Sequence, residues 1–406
     1  MPGRWNNRGQ PLRAAIRSLV PRMLRRRFRE LTAHLKVPRA GPSVPDELSG
    51  RITLLGYLTS PSGLGEGARL AAEALADAGY TVGLVDATAT MNQPLGGPRL
   101  NARPELVDGD VGGPLLVHIN PPDFQLVLSR MKLSGRNRKV IAYWAWEVSV
   151  LPGHWRRAFR LAHEIWVPSR FVADALRKSG CTVPMRIVHH PVRGVASARN
   201  RRPASPALRV LTAFAYDSGF DRKNPIAAVT AFRDAFGQRA DVELVIKARG
   251  RSESGNPERR LAAAMSGMGN VRVIEGTISR AAFLDLMSDC NVLLSLHRAE
   301  GFGLVLAEAM FMGKPVIATA WSGNLDFMTD ETACLVPARP TKAVDENYGT
   351  PCAEWAEPSV EAAASWLVRL TDPALRASIG EAARRHVERC LGQDAFLQAI
   401  VAQPPC

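Results

Sequence analysis

Two glutamates separated by seven residues, Glu300 and Glu308, sit in the run His297-Arg298-Ala299-Glu300-Gly301-Phe302-Gly303-Leu304-Val305-Leu306-Ala307-Glu308. Carboxylates accept hydrogen bonds from sugar hydroxyls. Gly301 and Gly303 follow the first acid, and glycine lets backbone approach a ligand closely. A helix beginning near Leu304 would aim unpaired N–H groups and the positive end of its dipole at that ligand. Glu300 in the loop and Glu308 a turn into the helix therefore match the polarity of a sugar–diphosphate–nucleoside. A surface pair of glutamates beside a turn is the plainer alternative. Arg222 and Lys223 follow the apolar run 209–215 and precede a helical pattern. Adjacent cations at a strand end can neutralise a diphosphate leaving group, although an exposed basic turn would look the same. Lys247, ending Leu244-Val245-Ile246-Lys247, is a secondary candidate.

The first half of the chain offers softer signals. The apolar run 51–58 leads into Ser60-Pro61-Ser62-Gly63-Leu64-Gly65-Glu66-Gly67, whose amides could cradle phosphate. Its glycines, Gly63 and Gly65 among them, do not fit the dinucleotide fingerprint, and a tight turn needs them equally. His118 closes the run 114–119 at a strand's carboxyl end, with Asn120 beside it. Trp144, Trp146 and Glu147 end another strand. Aromatic faces suit sugar C–H surfaces and Glu147 could orient an acceptor hydroxyl, while packing between domains would account for the tryptophans as well. Ser169 reads as a helix cap.

These residues need a scaffold that brings strand ends together. From residue 51, short apolar runs (51–58, 81–86, 114–119, 139–144, 164–167, 185–189) alternate with helical patterns, including 66–78 and 169–179. Such alternation argues for a parallel sheet with crossover helices. Residues 193–208 break the pattern as a linker. It restarts with runs near 209–215, 242–247, 271–275, 291–295, 315–319 and 333–336, and helices at 225–236, 256–266, 280–288 and 304–312. Residues 337–353 read as a loop, and 358–371 and 373–390 as helices. The expected fold is α/β: an arm and linker over 1–49, one Rossmann-like domain over 50–200 and a second over 201–385. A tail over 386–406 would cross back to the first domain. Ligands belong at the carboxyl ends of the strands.

Segment 297–326 resembles the signature of retaining glycosyltransferase family four, whose fold is GT-B: two Rossmann-like domains facing a cleft. The resemblance implies that Glu308 binds ribose hydroxyls, and that Glu300 and the amides of Phe302, Gly303 and Leu304 contact the donor sugar and phosphates. Ser322-Gly323-Asn324 also resembles the family pattern. Lys223 resembles the family's phosphate-binding lysine. Ser218 stands where the family often has an arginine, a role Arg222 would then take. The resemblance also implies that the glycine-rich loop abuts the diphosphate, and that His118 contacts the donor sugar near the reacting carbon. The implied reaction is same-face transfer from a nucleoside-diphosphate sugar, taken as a UDP- or GDP-sugar, to a hydroxyl acceptor; the basic arm would suit a saccharide or lipid-linked saccharide acceptor in polysaccharide or glycolipid synthesis. No carboxylate cluster suggests a metal site, so no metal or cofactor is expected beyond the sugar nucleotide. An epimerase of the same fold is the rival.

Charge separates the arm from the body. The net charge is +14, and residues 1–40 supply +10 of it through eleven Lys/Arg against Glu30. A nucleic-acid binder would carry basicity on its body, so that reading is disfavoured. Leu24, Phe28, Leu31 and Leu35 form an apolar stripe flanked by arginines over 21–35. The pattern fits a helix on an anionic membrane surface, or a solvated arm. The N-terminus lacks the apolar core of a signal peptide. The six cysteines form no C-x-x-C pair and read as reduced thiols. The expected location is cytoplasmic, peripheral on the inner membrane face.

Overall fold

The computed structural model describes residues 50–121, 123–131, 138–193, 208–252, 255–344 and 353–401. The basic stripe at 21–35 and most of the 193–208 linker lie outside them.

The first lobe opens with β1 (Arg51–Gly56), α1 (Gly63–Asp77), β2 (Thr81–Asp86), β3 (Leu106–Asp108), β4 (Leu115–His118) and α2 (Asp123–Met131). It continues with β5 (Val140–Tyr143), a 3₁₀ helix at Gly153–Leu161, β6 (Glu164–Val167), α3 (Arg170–Lys178) and β7 (Met185–Ile187). The second lobe runs through β8 (Leu208–Ala215), a helical turn at Phe220–Lys223, α4 (Pro225–Phe236), β9 (Val242–Arg249), α5 (Asn256–Met265) and β10 (Val271–Ile274). It then places α6 (Arg280–Asp289), β11 (Val292–Ser295), α7 (Leu304–Phe311), β12 (Val316–Thr319) and β13 (Cys334–Val336). A hairpin of β14 (Ala338–Lys342) and β15 (Glu354–Pro358) follows, with α8 (Val360–Arg369), α9 (Pro373–Cys390) and α10 (Gln393–Val401).

Both sheets are parallel and wound alike. Their orders are β3-β2-β1-β4-β5-β6-β7 and β10-β9-β8-β11-β12-β13. The winding reverses between β1 and β4 in one lobe and between β8 and β11 in the other. Crevices at such reversals, beyond the strands' carboxyl ends, are where open α/β sheets bind ligands. Each sheet carries buried apolar layers on both faces, which explains why its strands read as near-continuous apolar runs. The last helix returns to the first lobe: Phe396 and Ile400 join the core of Ile52 and Leu54, and Arg186 Nη1 donates to the carbonyls of Ala399 (3.1 Å) and Ile400 (3.2 Å).

Three expectations change. Residues 337–353 are not simply a loop, because β14 pairs antiparallel with β15. Strand β3 adds an edge to the first sheet; its Leu106-Val107-Asp108 is too short to show a period. Helix α1 starts at Gly63 instead of 66, since Ser62 Oγ accepts from Gly65 N (3.2 Å) and caps it. Glycines at the start of a helix weaken it, but here packing demands Gly65 and Gly67, while Gly63 has open space around it. A Cβ on Gly65 would lie 2.6 Å from the carbonyl oxygens of Ser60 and Tyr57.

Candidate active site

A cleft of about 480 Å³ lies between the lobes at these strand ends. Its second-lobe wall is built where β8 gives way to tight backbone. Gly219 (φ 90°) and Asn224 (φ 51°) bracket the helical turn carrying Arg222 and Lys223. The Arg222 side chain is buried. Its Nη1 donates to Ala299 O (2.8 Å), and its Nη2 donates to Ser218 O (2.7 Å) and Ser218 Oγ (2.9 Å). Ser218 thus braces the guanidinium at the cleft. Lys223 Nζ pairs with Glu300 Oε1, and Arg222 Nη1 lies 3.4 Å from Glu300 Oε2. Burial opposes the Glu300 charge, but Lys223 and Arg222 outweigh it and hold the carboxyl down at about 2. Lys247 lines the cleft too, donating to Ala248 O (3.0 Å) and to Gly276 O.

Helix α7 begins after Gly303, whose φ of 94° suits glycine. Leu306 N and Ala307 N donate to Gly303 O, so the helical ladder starts there and the preceding amides face the cleft beside Phe302, Gly303 and Leu304. The loop is held from two sides. Below it, Glu300 N donates to Ser322 Oγ (2.8 Å), and a Cβ on Gly323 would sit 2.2 Å from Gly301 O. Across the seam, Ser169 Oγ donates to Gly301 O (2.6 Å), and a Cβ on Gly301 would meet Trp146 O at 2.9 Å. Ser169 therefore caps α3 and also ties the lobes together.

Glu308 lines the cleft but is not free. Arg280 grips both its oxygens through Nη1 and Nη2, and Arg280 Nε reaches Glu66 of the first lobe at 3.2 Å. Burial pushes the Glu308 carboxyl up while Arg280 pulls the other way. Nothing in the sequence pairs Arg280 with an acid 28 positions away; only the fold does.

On the first-lobe wall, Gly63 and Leu64 line the cleft at the start of α1, and Gly65 is tucked beneath. Arg69 fixes the preceding loop by donating to Leu58 O (2.8 Å) and Ser60 O (2.9 Å). Glu147 lines the cleft 3.9 Å from Arg222 Nη2, and burial raises its carboxyl against the pull of Arg222. Asn120 clasps the backbone of Ala145, accepting from its N (2.9 Å) and donating to its O, and so positions the strand end bearing Glu147.

Three first-lobe expectations meet different geometry. Trp144 is 1% exposed and packs among Phe124 and Phe159 in the core, away from the cleft. Trp146 is buried against Trp155 with Nε1 donating to Val150 O (2.9 Å), and meets the Gly301 loop through its backbone. His118 ends β4 but is wholly buried, stacked on Tyr143 at 4.0 Å, with neither ring nitrogen hydrogen-bonded. The histidine that lines the cleft is His190, just past β7. The signal applied to His118, a histidine closing an apolar run, falls here on His189, which ends 185–189, and His190 is its neighbour. Among the described residues, no group of three or more His, Cys, Asp or Glu side chains could hold a metal ion, and no helix is long and apolar enough to cross a membrane.

A sequence-family profile described as "Glycosyl transferases group 1" matches residues 218–347, the span that carries Ser218, Lys223, Glu300 and Glu308. The chain has the GT-B fold, and its second lobe carries the match to the group 1 glycosyl transferases. Solved structures share that fold with the chain at low identity. Anabaena HepE in complex with UDP and glucose superposes with a TM-score of 0.60 at 14% identity, covering 86% of this chain and 98% of its own. Sucrose-phosphate synthase from Thermosynechococcus elongatus gives 0.60 at 20% identity, covering 86% and 96%. The pneumococcal O-GlcNAc transferase GtfA in complex with UDP and GlcNAc gives 0.51 at 14%, covering 70% and 55%. No curated protein sequence matches the chain significantly.

Proposed function

We propose that this glycosyltransferase moves a sugar from a UDP- or GDP-sugar to a hydroxyl of a saccharide or lipid-linked saccharide, with retention at the anomeric carbon. The observation that carries the reading is the convergence of the α7 N-terminus, Lys223, Arg222 and Glu308 on one cleft. Its size suits a sugar nucleotide. The diphosphate sits against the amides of 302–304, and its leaving charge is met by Lys223 and Arg222, which leaves no role that requires a divalent cation. Glu300 orients the sugar while holding Lys223, and Glu308 takes the ribose hydroxyls in exchange for Arg280. The bond from the anomeric carbon to the phosphate oxygen breaks as the acceptor oxygen attacks from the same face, and the acceptor's proton passes to that phosphate oxygen. Glu147 orients the acceptor from the facing wall. Bound donor and lobe closure exclude water. The complexes of HepE and GtfA with UDP support a uridine donor.

The basic arm suits the cytoplasmic face of a membrane, where a lipid-linked precursor of a polysaccharide or glycolipid would be met. A thermal-shift screen of UDP-, GDP- and ADP-sugars identifies the donor, because binding raises stability by mass action. Free nucleoside diphosphate should then appear only when an acceptor is supplied, with the product anomer matching the donor by NMR. Conversion of the donor without an acceptor points to an epimerase.

A further inference from the structure

His190 was absent from the sequence-derived site, yet its surroundings are built. Tyr143 Oη donates to Val188 O at 2.7 Å. A carbonyl oxygen only accepts, so the phenol's one proton is committed there. The 3.3 Å contact between Tyr143 Oη and His190 Nδ1 must therefore run the other way, with Nδ1–H donating to the phenol oxygen. That assigns the tautomer: Nδ1 holds the proton and Nε2 keeps a lone pair. Phe302 lies edge-on to the ring at 5.1 Å, and Tyr143 flanks it at the same centroid distance. Gly67 of α1 leaves it room, since a Cβ there would come within 2.4 Å of His190 Cε1. Unlike His118, whose buried nitrogens have no partner, His190 lines the cleft, and its ring is held to Tyr143 through Nδ1, which leaves Nε2 as the nitrogen for a ligand. Burial, reinforced by His189, holds the imidazolium down at about 3, so the ring stays neutral across the working range.

We propose that His190 Nε2 accepts a hydrogen bond from a hydroxyl of the sugar being transferred, and that Tyr143 positions it by locking the tautomer. The sugar is the moiety reached because Phe302, against His190, begins the loop whose amides face the diphosphate. A phosphate would gain nothing at this atom, because the neutral ring offers no positive charge and the bare nitrogen repels an anion. The inference rests on the sugar-nucleotide reading above, and the experiment separates the two.

Affinities of wild type, His190→Ala, His190→Gln and Tyr143→Phe are measured calorimetrically for UDP and UDP-glucose and for GDP and GDP-mannose. Folding is checked by melting temperature. His190→Ala should weaken the accepted sugar nucleotide about three- to tenfold, the worth of one net hydrogen bond, and leave the free diphosphate unchanged. His190→Gln, which can still present an acceptor oxygen, should recover part of the loss. Long-range ¹H–¹⁵N spectra of the imidazole should show His190 protonated at Nδ1 in wild type and shifted toward Nε2–H in Tyr143→Phe. An Nε2-protonated wild-type ring, or an equal loss for diphosphate and sugar nucleotide, overturns the assignment of His190 alone. Wild type binding none of the four ligands overturns the proposed function and this inference together.

Discussion

On the second-lobe wall of the cleft, Lys223, Arg222 and Arg280 each face a carboxylate, while the first-lobe wall presents the start of α1, neutral His190 and a raised Glu147. The charged wall has its positive groups in place before any ligand arrives, held by Glu300, Glu308 and Ser218. The first-lobe wall holds His190 through one phenol and a glycine-sized gap. Preorganised charge suits a leaving diphosphate, whose negative charge grows during reaction. The uncharged acceptor of His190 suits a sugar hydroxyl. The two walls also spend their aromatic residues differently: Trp144 and Trp146 stabilise the first lobe without lining the cleft.

That contrast can be broken at four points. Trp144→Ala should cost about 3–5 kcal/mol in urea unfolding, as large core aromatics do, with donor affinity unchanged in the folded fraction. A selective loss of acceptor binding at full stability would return this residue to the site. Lys223→Ala should slow transfer about 10²–10³-fold in single-turnover assays, the scale of removing one preorganised charge-stabilising group, while circular dichroism stays native. Unchanged turnover there would strip the charged wall of its role.

The third test uses acid. Glu300 has a folded-state pKa of about 2 against an ordinary 4.5. A depressed carboxyl contributes stability that is fully present above about 4.5 and is lost as pH falls toward about 2. Wild type should therefore exceed Glu300→Gln in stability at pH 7, by on the order of 3 kcal/mol, and the gap should close across that window. A gap constant with pH would show that the Lys223–Glu300 pair does not titrate as one buried unit. The smallest effect is expected from Glu308→Gln, which should raise the donor Kd about 10- to 100-fold by weakening a charged hydrogen bond. Calorimetry showing unaltered affinity would mean that Arg280, and not ribose, is the lasting partner of Glu308.

Legibility differed by lobe for a physical reason. In the second lobe the chemistry is local: Glu300, the glycines and the α7 N-terminus lie within a dozen residues, so spacing alone places them on one helix tip. In the first lobe, His118 and Trp144 had the right residue types at strand ends, but side-chain direction decides access to the cleft. His118 turned under the sheet end onto Tyr143, and Trp144 turned into the core. Residues 338–342 and 354–358 carry few β-branched residues and pair only because the chain folds back antiparallel, so their hairpin had no periodic signature.

The amino-acid order by itself determined the parallel strands, because buried strands must be apolar throughout, and it determined the cleft-lining helix end, because a helix terminus and its glycines are adjacent in the chain. Tertiary structure alone decided that Arg280 holds Glu308, that Ser169 binds the Gly301 loop, and that His190, not His118, reaches the cleft. Those contacts join residues 28, 132 and 47 positions apart, the last being His190 and Tyr143. No local pattern encodes such pairings; they form only once two sheets have wound and their strand ends meet.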